Sequence, residues 1–274
     1  MNLKKLNRYR PFVKGAFREV FAYKWAIISW TTASVLSVVM KCCLWGAIYR
    51  FGQNDVIGGY TFPQMVAYLC VACITGQLCY TNTLDELSDV IISGEVGSKL
   101  IKPISFRIQL IARNIGNFGG TLIIMGAGML IATFATLGLF FDYAFGWDLF
   151  WRIPVYLLSS FVSMLIMEAF CFIFGQVAFV SQAIFGLMQI VDTLWAFLSG
   201  ALIPLSVFPE WARTALMCTP FPYYMSLPVS VLTGAEFCNV IVGIALQVVW
   251  LVLFWTIGNL LFARSVKRVV SFGG

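Results

Sequence analysis

The feature that most constrains this chain is a series of long apolar runs, near residues 25–49, 62–81, 118–141, 154–179, 184–205 and 238–262. Each is close to the roughly 20 residues that an α-helix needs to cross a hydrocarbon layer about 30 Å thick. Hydrophobic residues make up 60% of the 274, charged residues only 11%, and the mean hydropathy is +0.88. A water-soluble fold of this composition would expose far more apolar surface than monomers tolerate, so the solvent must be lipid. The expected fold is therefore an all-α polytopic membrane protein with six transmembrane helices. Neither a linker nor an internal repeat interrupts the chain, and residues 1–274 read as one domain. The same composition excludes disorder and an ordinary soluble enzyme. Histidine is absent, which removes the commonest general base and metal ligand, so neither a catalytic residue nor a metal site is assigned.

The balance of 18 Lys and Arg against 12 Asp and Glu matters through its placement. Lys4, Lys5, Arg8, Arg10, Lys14, Arg18 and Lys24 precede the first run, opposed by Glu19 alone. Lys99, Lys102, Arg107 and Arg113 follow the second run, and Arg264, Lys267 and Arg268 follow the last. The opposite side has only Arg50, Arg152 and Arg213, while Lys41 falls inside the first run. By the positive-inside rule both termini are cytoplasmic, in an inner-membrane, multi-pass arrangement. The basic amino terminus leads into a membrane-length run rather than a base-stacking platform, so no nucleic-acid partner is expected. Within residues 1–24, Val13, Phe17, Val20 and Phe21 recur at helical spacing after Pro11. That pattern suits an amphipathic helix lying at the interface, and a simple polybasic flank of the first span suits it equally.

Six of the eight cysteines, Cys42, Cys43, Cys70, Cys73, Cys79 and Cys171, fall in apolar runs and read as reduced packing residues. Cys218 and Cys238 lie in or beside one outer loop, where a bridge is open to them.

The longest polar stretch between runs on the cytoplasmic side is 82–117, including TLDELSDVIISGEVGSKLIKPISFRIQLIARN. Leu84, Leu87, Val90 and Ile91 mark one helix face, Asp85, Glu86 and Asp89 lie on others, and Gly94, Gly97 and Pro103 follow. A short helix, a glycine-broken turn and a second helix after Pro103 satisfy these signals, as would an ordinary structured loop. GEVGSK at 94–99 fails the spacing of a phosphate loop, so ATP hydrolysis would have to come from another chain.

Lys41, Glu168 and Asp192 are ionisable residues inside runs, where charge is expensive and faces protein or water. Glu168 and Asp192 stand on consecutive runs joined by a short inner link. They are expected to form an acidic pair that attracts a cationic amphiphile, with Trp195 as an aromatic neighbour. The structural alternative is that Lys41, Glu168 and Asp192 satisfy one another or nearby polar side chains. The loop 206–237 is apolar and broken by Pro209, Pro220, Pro222 and Pro228 into short helices, with Trp211, Phe221, Tyr223 and Tyr224 suited to an outer interface.

ISGEVGSKLIKPIS at 92–105 and FLSGALIPLSVFPEWARTALMCTPFPYY at 197–224 resemble two segments of ATP-binding-cassette exporter permeases of the second type. The order of the two segments and the six-run layout extend the likeness over nearly the whole chain. The resemblance implies a permease bound to a cytosolic ATP-binding-cassette ATPase and to a second permease, a copy of itself or a homologous chain. It implies ATP and Mg²⁺ on that ATPase, with no cofactor on this chain. It also implies a coupling element at Leu84, Asp85, Glu86, Asp89, Gly94, Glu95, Lys102 and Pro103, and an outer gate at Pro204, Phe208, Pro209 and Trp211. The branch it most resembles holds drug and toxin exporters, so the implied cargo is an amphipathic drug, toxin, peptide or lipid-like molecule. Two other readings use the same residues: an ion-coupled carrier relaying protons through Glu168 and Asp192, and a non-transporting membrane assembly or immunity factor.

Overall fold

The computed structural model describes residues 7–53, 55–101, 104–126, 148–181, 184–234 and 240–272, together with 128, 131, 133 and 138. Helix α1 (Arg10–Ala22) opens with Pro11 in its first turn, where the missing N–H is no loss. It stops at Tyr23, whose backbone leaves the helical region (φ −92°, ψ 40°), and α2 (Lys24–Gly52) begins at once. The basic segment is thus a helix of its own, and its apolar face lies on α6 (Phe106–Thr121). A Cβ at Gly116 would run into the Val13 carbonyl, and one at Gly120 would come within 2.9 Å of the Val20 Cβ. Small residues at these positions let the two backbones approach closely.

After α2 the chain reverses through a hairpin that the apolar runs did not announce. Strands β1 (Val56–Ile57) and β2 (Tyr60–Thr61) are joined by Gly58 and Gly59. Both glycines have positive φ (59° and 83°), as a two-residue turn matched to strand twist requires. Thr61 and Gln64 then form a reciprocal cap on α3 (Phe62–Leu78), with Pro63 in its first turn. The chain continues through α4 (Thr83–Ile92), α5 (Val96–Ile101) and α6, which runs into a π-helical turn at Leu122–Gly126. Next come α7 (Leu149–Gly175) with a 3₁₀ turn at Gln176–Phe179, and α8 (Ile184–Leu198). A 3₁₀ turn at Leu205–Val207 leads to α9 (Glu210–Met217), α10 (Phe221–Tyr224) and α11 (Ser226–Thr233), and α12 (Val240–Phe272) closes the chain.

Among the described residues, four stretches are long and apolar enough to cross a membrane: Ser29–Gly52, Phe62–Ile92, Leu149–Phe179 and Val240–Val266. Most of the expected third span, beyond residue 126, lies outside the described residues. The expected fifth, 184–205, is helical only to Leu198, because Gly200 turns the chain at φ 88° and Pro204 follows. The second and third of the four stretches are 61% and 56% buried and the outer two only 11%. Helices α3 and α7 are therefore the axis of the bundle, and α2 and α12 its flanks.

The segment 206–237, described to residue 234, folds into the short helices that its prolines dictate. Within the expected re-entrant-like segment α9 is exposed, with Trp211 76% exposed, whereas Tyr223 and Tyr224, expected at an interface, are 4% and 6% exposed and α11 is buried against α3 and α7. The correction has a simple cause, since composition cannot distinguish an apolar face that meets lipid from one that meets protein. Tyr68 donates to the Gly200 carbonyl (2.8 Å) and Ser226 to the Ser199 carbonyl (2.6 Å), which satisfies the irregular backbone inside the bundle. Cys218 is free and exposed, and Cys42, Cys43, Cys70, Cys73, Cys79 and Cys171 are free thiols; Cys238, the candidate bridge partner of Cys218, lies outside the described residues.

Candidate functional site

The end of the bundle that carries α1, α4 and α5 is here called the basic end, and the end that carries the hairpin and α9–α11 the far end. Asp85 and Glu86 sit in the first turn of α4, where they complement the helix dipole, and Gly94 at φ 75° ends the segment. Leu84 and Leu87 are buried and press on the last turn of α7. A Cβ at Gly175 would come within 3.0 Å of Leu87 Cδ2 and 3.3 Å of the Leu84 carbonyl. Asn114 of α6 donates to Thr83 Oγ1 (2.7 Å), fixing the other flank. With its apolar face so held, α4 turns Asp85 and Asp89 outward, both exposed.

Glu86 is not available in the same way. Arg113 of α6 pairs with Glu86 at 3.0 Å and with Glu19 of α1 at 3.4 Å, so one guanidinium ties three helices. Leu84 is buried, at 5% exposure. Gly94 and Glu95 are exposed, and Glu95 lies 3.8 Å from Lys99 across one turn of α5. Lys102 and Pro103 lie outside the described residues.

The structure does not bring Glu168 and Asp192 together. Glu168 is completely buried in α7, its two carboxylate oxygens without a hydrogen-bond partner among the described residues, and the charge that acts on it is Arg107. Asp192 is exposed on α8, and its charge reaches Asp85, Tyr80, Tyr224 and Cys171, the last of which the Glu168 charge also reaches. Lys41 is half-buried and makes no ion pair among the described residues; its charge acts on Cys42 and Cys73. Trp195 is 3% exposed and closed in by rings, with centroids 4.7 Å from Phe170, 4.6 Å from Phe221 and 5.0 Å from Tyr224. In this conformation it packs α8 against α7 and α10.

At the far end, Pro204 is buried, Phe208 stacks edge-on against Phe197 (5.7 Å), Pro209 caps α9 and Trp211 is 76% exposed. Gly58 of the hairpin abuts Ser206 and Val207, so any movement of this turn is felt at the connection between α2 and α3.

Arg107 is the residue that sequence reasoning missed. Counted only as an orienting charge, it is 6% exposed and lies between the rings of Trp255 (3.9 Å) and Phe172 (4.3 Å). It donates to the Trp255 carbonyl (3.0 Å) and to Asn259 Oδ1. Leu87, Phe172, Phe106 and Leu110 form one apolar cluster beside it. A continuous set of contacts therefore runs from α4 through Leu87 and Phe172 to Arg107 and on to α12. The available signal was the six-residue spacing of Arg107 and Arg113 in an otherwise mostly apolar helix.

Compared with known families, residues 35–273 match the model described as ABC-2 family transporter protein. No individual curated protein matches the chain.

Proposed function

The chain belongs to the ABC-2 transporter family, and from that premise we propose that it is one half of the membrane pathway of an ATP-driven exporter. Membrane components of this family associate with ATP-binding-cassette ATPases and are not ATPases themselves, and the helices described above make this one an integral membrane protein. In the proposal the chain makes six passes of the inner membrane with both termini in the cytoplasm, so the basic end faces the ATPase. ATP and Mg²⁺ act on that partner. A second permease, identical or homologous, completes the pathway for an amphipathic drug, toxin, peptide or lipid-like molecule.

The observation that carries the reading is the mounting of α4. A helix locked to the axis of the bundle through Leu87 and Gly175, with Asp85 and Asp89 turned outward, has the geometry of a lever. Acidic residues suit a partner with a basic groove, and electrostatic complementarity sets register as well as attraction. The turn at Gly94 and Glu95, continuing to Lys102 and Pro103, extends the docking surface. ATP-driven closure of the partners then pushes α4 against α7. At the far end the turn at Pro204, Phe208, Pro209 and Trp211 opens as the gate, and cargo passes along a path that Lys41, Glu168, Asp192 and Trp195 border once the helices part. Such a cycle requires contacts that differ between the two states.

The test is reconstitution with the ATPase in proteoliposomes, reading ATP-dependent uptake of a dye-labelled amphiphile. Reversing Asp85 and Asp89 together to Lys abolishes uptake and weakens co-purification of the two subunits. Uptake at the full rate with no ATPase present would overturn the reading.

A further inference from the structure

A cavity of about 320 Å³ opens between α1, the first turns of α2, the end of α3 and the middle of α6, large enough for a small organic ligand. Three of its walls are aromatic faces that packing has not used up: Tyr23 is 64% exposed, Trp30 60% and Tyr80 51%. The Trp30 and Tyr80 rings stand 6.3 Å apart at 47°, making an open corner. Gln77, tied to Ser34 Oγ at 2.7 Å, fixes the floor between α2 and α3.

Among the described lining residues Glu19 is the one acid and Arg113 the one base, but Arg113 is shared with Glu86 and lies nearer to it. Glu19, its side chain 50% exposed, is left only partly neutralised. The charges of Asp85 and Asp192 also reach Tyr80. Aromatic faces beside a partly neutralised carboxylate favour a cation with an apolar body, through the ring quadrupoles and the carboxylate together, over an anion of the same shape.

We propose that this cavity is a binding site for lipophilic organic cations, held between Glu19 and the Trp30–Tyr80 corner. As the place where cargo is loaded from the inner leaflet, it rests on the permease reading above; as a binding site it does not. Glu19 holds the charge, Trp30 and Tyr80 hold the body, and α1 stands beside the opening, so displacing α1 from α6 changes access to it.

The test uses the full chain in nanodiscs of zwitterionic lipid, with radiolabelled tetraphenylphosphonium and its anionic counterpart tetraphenylborate as probes. Tetraphenylphosphonium binds saturably and tetraphenylborate does not compete. Glu19→Gln and Trp30→Ala each weaken binding at least fivefold, whereas Glu210→Gln, at the far end, leaves it unchanged. Trp30→Ala leaves the Glu19–Arg113 pair intact, so it reports on the site even if Glu19→Gln unseats α1. Equal binding of the two probes, the absence of saturable binding, or wild-type affinity in Trp30→Ala overturns the proposal. Saturable binding without ATP-driven transport of the probe leaves the site standing and counts against its role in loading. ATP-driven transport of other amphiphiles by a chain that fails to bind the probe removes the site and leaves the permease reading.

Discussion

At the far end, Tyr68 and Ser226 donate to backbone carbonyls of the turn at 199–200, and Gln247 of α12 donates to the Tyr223 carbonyl (2.7 Å) and Ser163 Oγ (3.0 Å). At the basic end the corresponding joints are Arg107 between two rings and Arg113 between two carboxylates. The first kind of joint is neutral, directional and buried, and it keeps a Pro-rich segment inside the bundle. The second is charged, and where it is exposed it can be re-partnered by another protein or weakened by salt. On the proposed function, the difference makes the end fastened by charge the one that responds to a partner. The far end is built to follow through the rigid axis of α3 and α7.

Arg107 tests the comparison most severely. Arg107→Met removes a cation from between Trp255 and Phe172 and leaves Glu168 buried with no opposing charge. Losing the hydrogen bonds of a charged donor to the Trp255 carbonyl and Asn259, together with the charge that acts on Glu168, costs about 2–4 kcal/mol. Unfolding of the purified chain in detergent or nanodiscs should show that loss, and adding Glu168→Gln should restore part of it. A double variant no more stable than Arg107→Met would mean that the two residues are uncoupled and that the basic end is held by packing alone.

Gln247→Leu probes the neutral side. Gln247 is fully buried and also accepts from Ser159 Oγ (3.1 Å), so the change strands Ser159 and the Tyr223 carbonyl. Each hydrogen bond between membrane helices is worth about 0.6–1.7 kcal/mol, and the four that Gln247 makes, with its donor shared among three acceptors, about 2–4 kcal/mol together. The loss should be the same in low and high salt. A salt-dependent loss would break the distinction between the two ends.

Gly200→Ala is a smaller change at the same end. The left-handed backbone and the approach of Ser226 Oγ both resist a Cβ there, at a cost of about 1–3 kcal/mol. A stability equal to wild type, measured in the same unfolding assay, would show that the turn relaxes and that the far end is less fixed than its hydrogen bonds suggest.

The helices were legible because lipid demands long apolar runs and because Pro11, Pro63 and Gly94 punctuate them. The spacing of Leu84, Leu87, Val90 and Ile91 gave α4 nearly to the residue. The Gly58–Gly59 pair was a readable hairpin signal that a search for apolar runs passes over. What sequence could not give was direction. Arg107 and Arg113 count alike towards orientation, yet one is sealed between rings and the other bridges carboxylates. Glu168 and Asp192 share a residue class and adjoining runs, but helix rotation turns one to the core and the other outward. Tyr223 and Tyr224 read as interface aromatics for the same reason, because rotation about a helix axis is set by packing that apolar composition leaves undetermined.

Arg113 has the smallest expected effect on stability and sharpens the comparison most. Its guanidinium is 39% exposed, Glu19 50% and Glu86 26%, so both pairs are partly screened and Arg113→Gln should cost less than about 1 kcal/mol. If the basic end responds to a partner, the same change should nevertheless alter ATP-dependent transport, because it frees α1 and α4 from a common tether. Mutations along a coupling route shift it by about 0.5–2 kcal/mol, a factor of roughly 2 to 30 in transport per ATP hydrolysed. High salt should mimic the substitution in the wild-type protein and do little in the variant. Transport and salt response both unchanged in Arg113→Gln would make the three-helix ion pair a surface ornament, and the response of this end would then rest on Arg107 alone.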